Sequence, residues 1–141
     1  MTTYTLTITE AQAQTLSIAC EVLARLGMGQ YKDALDNLPR RDNIDWSAWH
    51  DDMRGIGHIL SKHMPGIDGY ISHIGIHNAS SESRLAWDMH QVIRHRLAWD
   101  RAVARGVTDG TVRNWNEMLG VHYDEPTKTC EAPLATMEVV R

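Results

Sequence analysis

Eight histidines call first for a metal test, because neutral imidazole is a common ligand for zinc and its neighbours. His73 and His77 stand four residues apart in a glycine-rich stretch, close enough to share an ion if that stretch curls. His58/His63 and His90/His95 are five apart, which on a helix sets the two rings about 140° from each other, a poor geometry for one ion. No Cys-x-x-Cys, His-Glu-x-x-His or calcium-loop spacing occurs. Cys20 and Cys130 lie far apart and match no zinc or redox pattern. Cys20 falls among apolar helical positions and reads as a core thiol. The expectation is no metal and no cofactor.

Other catalytic constellations are weaker. There is no phosphate-binding glycine loop and no Gly-x-Ser-x-Gly elbow, and the adjacent carboxylates Asp51 and Asp52 read as exposed. Serines at 72, 80, 81 and 83 lie near His73 and His77 in sequence, which does not make a triad. His50-Asp51 resembles the His-Asp dyad of metal phosphohydrolases. That family also needs an earlier histidine, and His50 is the first here. A metal-dependent phosphohydrolase using His50, Asp51, His73 and His77 stays open as the catalytic alternative.

Residue types suited to binding gather elsewhere. On a helix, Trp87, Arg94, Arg101 and Arg105 fall within about 40° of one another, with Ala98 between them. An indole beside guanidinium groups can receive an anion, a nucleotide base with its phosphate, or an acidic protein surface. The same face could equally be solvated, or packed on another helix or subunit. With His73 and His77, these residues form the candidate binding set for a host protein or an anionic small molecule such as a nucleotide. Arg84 and Asp88, with His95 nearby, read as a surface cluster of little energetic weight.

The element that must position them is a helix spanning 82–105, which contains neither Gly nor Pro. It carries the pentad Arg-Leu-Ala-Trp-Asp twice, at 84–88 and 96–100. Twelve residues rotate the second copy about 120° from the first, so the two cannot serve one purpose. An apolar arc about 160° wide holds Trp99, Val92, Leu85, Val103, Met89, Ile93, Ala86, Ala104 and Leu97. Arg96 and Asp100 fall inside that arc one turn apart. They read as a structural ion pair, or as a pair lining an internal polar pocket.

Upstream, Tyr4–Ile8 alternates apolar and threonine residues and predicts a strand. Thr9 and Gln12 form a capping box for a first helix running to about Leu26, with Leu16, Ala19, Cys20, Leu23 and Leu26 inward and Gly27 as its stop. A short helix over Gln30–Leu38 ends at Pro39. A third helix over about 44–63 shows a seam of Trp46, Trp49, Met53, Ile56 and Leu60, expected to pack on the first and last helices. Gly55 and Gly57 within it are expected to permit close helix approach. Residues 64–81 are too long for a plain connection. They read as a functional loop, or as a strand over Tyr70–Ile76 pairing with Tyr4–Ile8. Ser80 or Ser81 caps the next helix, and Met137–Val140 offers one more strand.

Together these predict a mainly α (α+β) fold: three to four packed helices with a small sheet, in one domain of 141 residues. Residues 1–125 form the core and 126–141 a partly extended tail. A formal charge of −4 argues against non-specific nucleic-acid binding. The polar start and the lack of a long apolar run predict no signal peptide, no membrane partner and a cytoplasmic location. A homodimer is compatible with the pattern but not specified by it.

The strings TLTITEAQAQTLSIACEVLARLGMGQ, GIHN, AWDMHQVIRHRLAWDRA and GVHYDEP resemble a family of small proteins encoded by tailed bacteriophages and prophages. The resemblance covers most of the chain, with VIRHRLAWD as its most distinctive signature. It implies no activity and no catalytic residue, only a setting in the cytoplasm of an infected or lysogenic bacterium. Small acidic phage proteins of that kind often bind host components, including defence enzymes or their nucleotide signals. The expected function is a non-catalytic accessory factor. A minor virion or assembly component is a further alternative.

Overall fold

The structure, a computed structural model, describes residues 2–36, 42–63, 74–106 and 126–140. Among these residues four α-helices run in order: α1 (Glu10–Met28), α2 (Tyr31–Leu35), α3 (Trp46–Ser61) and α4 (Ser81–Ala104), with a 3-10 turn at Ile76–Asn78 before α4. The fold is mainly helical, as the sequence predicts. The small sheet is not: no strand occurs among the described residues. Among the described residues Tyr4–Ile8 pairs with no other segment, and Tyr4 and Leu6 are exposed. An unpaired strand leaves its backbone groups to water and gains no ladder. Ile8 instead packs, as does Met137, on a cluster of Ala13, Ile93 and Leu97. Both terminal segments reach that cluster through side chains. Part of the Tyr70–Ile76 strand lies outside the described residues, and its described end passes into the 3-10 turn.

Local signals fix the helix ends. Thr9 and Gln12 form the expected capping box, with Thr9 N–H donating to Gln12 Oε1 at 2.9 Å and Gln12 N–H to Thr9 Oγ1 at 3.3 Å. Ser80 caps α4, accepting from Ser83 N–H. In its first turn the Glu82 carboxyl is held below its ordinary pKa by its own main-chain N–H, then by the Ser80 and Ser81 hydroxyls. Asp45 caps α3 through Ser47 and Ala48 N–H. The stop of α1 is Gly29 at φ 81°, not Gly27 as predicted. Gly29 takes the left-handed turn that only glycine adopts without strain.

Gly27 serves packing instead. A Cβ there would lie 2.7 Å from Ser83 Cβ, so α1 and α4 come together at this point. Their pairing is antiparallel: Arg101 meets Glu10 and Gln14, Ser17 meets His90, and Gly27 meets Ser83. The α1 side of this seam is Ala13, Ser17, Cys20, Ala24 and Met28, mostly small residues that let backbones approach. This corrects the predicted facing. Leu23 and Ala19 point outward, and α4 turns away from the centre of its apolar arc, leaving Leu85 42% and Val103 69% exposed. Close approach at Gly27 and Ser83, with small residues buried along the α1 side, goes with this facing.

Helix α2 folds back on α1, burying Tyr31 and Ala34. Helix α3 packs on α2 and, among the described residues, on neither α1 nor α4. Its seam is therefore only partly used: Met53 and Gly57 are buried, whereas Trp46 and Ile56 are exposed. Gly55 faces open space, so it mediates no close approach. Gly55→Ala is accordingly expected to stabilise the protein by about 0.5–1 kcal/mol, the helix-propensity gain alone. A rise in melting temperature checks it; a fall would mean that the helix is packed there after all.

Candidate recognition site on the α1–α4 seam

The seam of α1 and α4 buries the imidazole of His90, which is 2% exposed. Its Nδ1 lies 3.0 Å from both the Ser17 carbonyl oxygen and Ser17 Oγ. A carbonyl only accepts, so the imidazole proton sits on Nδ1 and Nε2 keeps a lone pair. Nε2 is buried without a hydrogen-bond partner among the described residues. Burial is the largest influence and lowers the His90 pKa. Glu21 and the Ser17 main chain oppose it, and the Arg94 and Arg25 charges reinforce it.

Serine, histidine and glutamate together suggest nucleophilic chemistry. The geometry argues against it, because Ser17 is 0% exposed and no substrate atom can reach its hydroxyl. The pair is a polar lock between two helices.

Beside this lock lies Trp87. Its ring centroid is 5.5 Å from that of His90, and Arg25 Cζ lies 6.0 Å from the Trp87 ring, within range of a cation–π contact. Arg25 is itself held, by Glu21 at 2.8 Å and Gln30 at 2.9 Å. Trp87 is half-buried and packs on Cys20, Ala24 and Ala86. Arg94, also half-buried, sits two turns along α4 from Trp87.

The predicted stripe is thus divided rather than continuous. Arg101 is engaged across the seam, donating to Glu10 Oε1 and Gln14 Oε1 at 2.8 Å. Ala98 is buried, and Arg105 is exposed at the helix end. His77 is exposed in the 3-10 turn, which packs on α1 and α4; His73 lies outside the described residues. Trp87 and Arg94 are both half-buried on α4, and the structure sets Arg25 of α1 beside Trp87. Sequence reasoning missed Arg25, since nothing in its spacing announces a helix folding alongside.

Arg96 and Asp100 pair in a fork, at 3.0 and 2.6 Å. Their side chains are 40% and 38% exposed, so the pair lines no internal pocket and contributes modestly. Trp99 Nε1, one turn from His95, donates to His95 Nε2 at 2.9 Å. Cys20 is buried and its pKa is raised by that burial, as suits a core thiol. Among the described residues the phosphohydrolase set is not brought together: His50 and Asp51 are exposed on α3, which does not meet the turn bearing His77. Among the described residues no three metal-ligating side chains cluster, and no helix is long and apolar enough to cross a membrane.

The largest departure from the surface reading is Asp88. It is 2% exposed, covered by residues 127–130 of the C-terminal segment. Its carboxylate accepts from Thr129 N–H at 2.9 and 3.0 Å, from Thr129 Oγ1 at 2.6 Å, and from Cys130 N–H at 3.3 Å. The Cys130 thiol lies 3.2 Å from it. Arg84 Nη1 donates to the Thr129 carbonyl, and the Gln91 side-chain amide pairs with both main-chain groups of Thr127.

No protein-family model matches this chain, and neither a curated protein nor a solved structure matches it at a significant level.

Proposed function

We propose that this chain is a small accessory protein of the phage or prophage kind, which binds a host component without chemically transforming it. The component is an acidic protein surface or a nucleotide, such as a host-defence protein or its signal, met in the bacterial cytoplasm. The observation that carries this reading is Trp87 set against both His90 and Arg25, with Arg94 on the same helix. An indole already fixed by packing loses little freedom when a ligand meets its exposed part, and guanidinium groups suit phosphate or carboxylate.

Affinity purification from the bacterial host, with proteins and small molecules identified by mass spectrometry, tests it. The wild-type chain is expected to retain an anionic partner. Arg94→Glu should weaken that retention by about tenfold or more, consistent with loss of a charge-assisted hydrogen bond. Trp87→Leu, which preserves apolar bulk against Cys20, Ala24 and Ala86, should weaken it too. Equal retention by both variants would remove the niche from the account.

A further inference from the structure

We propose that Arg84, Asp88 and Gln91 on α4 form an acceptor site for an extended peptide segment, filled here by residues 127–130 and open to the same segment of a second copy. This inference does not rest on the Trp87 niche. The three acceptor residues follow one face of α4 at intervals of four and three. From Gln91, the helix advances about 4.5 Å to Asp88 and about 10.5 Å to Arg84. Two residues of extended chain advance about 6.5 Å. A segment whose Thr127 meets Gln91 therefore brings Thr129 between Asp88 and Arg84, where it is found.

Recognition is largely of main chain. Gln91 Nε2 donates to the Thr127 carbonyl and its Oε1 accepts from Thr127 N–H, at 3.2 and 3.3 Å, the pairing a neighbouring strand would supply. Asp88 takes two successive main-chain N–H groups, and Arg84 the Thr129 carbonyl. Selectivity comes from the hydroxyls: Thr129 Oγ1 reaches Asp88 Oδ1, and Thr127 Oγ1 reaches Gln91 Oε1 at 3.2 Å. Lys128 between them is exposed. The pattern read is Thr-x-Thr in extended form, a mode in which backbone bonds give affinity and alternate side chains give choice.

Two features make the segment exchangeable. Every acceptor side chain is polar, so water can replace the tail without opening an apolar core. The apolar anchor farther along, Met137, is only half-buried, and Val139 and Val140 are exposed. Between Gly106 and Pro126 lie the 19 residues 107–125, with a contour of at most about 65 Å. That exceeds the roughly 36 Å length of α4, enough to deliver the tail to a neighbouring molecule. The occupant is a second copy's tail because it presents the same hydrogen-bonding groups without change.

Two full-length variants separate the roles. Asp88→Ala disables the acceptor and keeps the tail. Thr129→Pro removes the N–H and the hydroxyl that Asp88 accepts, and keeps the acceptor. Each alone is expected to be monomeric by light scattering, and an equimolar mixture should form a one-to-one complex. A synthetic peptide of residues 126–140 should bind Thr129→Pro saturably and bind the chain carrying both substitutions about 10- to 100-fold more weakly.

With wild-type protein, a tagged copy at high concentration should capture an untagged one, and excess peptide should release it. Folded variants that stay apart on mixing, or wild-type capture indifferent to the peptide, would overturn the proposal.

Discussion

Gly27→Ala is expected to lower the melting temperature by several degrees, a loss of about 1–3 kcal/mol despite the better helix propensity of alanine. The added Cβ would sit 1.9 Å from Ser83 Oγ and 2.7 Å from Ser83 Cβ. Rotating the Ser83 side chain relieves the first clash but not the second, because Cβ is fixed to the backbone. Rotation also disturbs the 3.1 Å contact between Ser83 Oγ and Ser80 Oγ at the start of α4. The helices must part, and parting stretches the His90–Ser17 bonds farther along the seam. Adding Ser83→Gly removes both clashing atoms and should restore part of the loss, against a helix cost of under about 1 kcal/mol. Thermal melts of the single and double variants decide it. A single variant as stable as wild type would mean that the two backbones do not approach as described. The same exchange at Gly55 is expected to have the opposite sign, since neighbours and not residue type set the outcome.

The helices were legible where their signals are local. Thr9 with Gln12, Ser80 before α4, and the absence of Gly and Pro from 82–105 need no partner to interpret. The 120° offset of the repeated pentad was equally legible, and the two copies do part ways. Asp88 is buried under the tail, whereas Asp100 pairs with Arg96 in partial exposure. Arg84 reaches the Thr129 carbonyl, and Trp87 lies against His90 while Trp99 bonds to His95.

Facing was not legible, because an apolar arc records hydrophobicity and not how near two backbones come. Ala13, Ser17, Cys20, Ala24 and Gly27 line one side of α1 at helical spacing, and read as a small-residue track they point to the seam. The weight given to Leu23 and Leu85 hid that track. The role of Asp88 was illegible for another reason. Its donors, Thr129 and Cys130, lie some 40 residues away in a stretch with no periodicity. The expected strand at Tyr4–Ile8 failed because alternation shows that a segment could pair, not that a partner is present. Of the proposed binding set, Arg101 is engaged with α1, a pairing that its place on the α4 wheel could not announce.

Acidification should weaken the protein through His90, and the sign follows from its burial. The native-state pKa of His90 is lowered from the ordinary value, first by desolvation and then by the Arg94 and Arg25 charges, with Glu21 on α1 pulling the other way. The unfolded chain therefore binds the proton more readily than the folded one. The stabilising contribution is fully present above the unfolded pKa of about 6.5. It is lost progressively as pH falls below that value toward the depressed native pKa.

Protonation would also put a second N–H on Nε2, in a buried position without a hydrogen-bond partner among the described residues. His90→Asn places an amide nitrogen near the position of Nδ1, so it can still donate to the Ser17 carbonyl, and it cannot titrate. The variant should be less stable than wild type at pH 7.5, by about 1–3 kcal/mol for the space the ring vacates. Between pH 7.5 and pH 5 it should lose distinctly less stability than wild type does. Denaturant titrations at those two pH values measure both quantities. Parallel losses in the two proteins would assign the acid sensitivity to other groups and leave His90 as a packing residue.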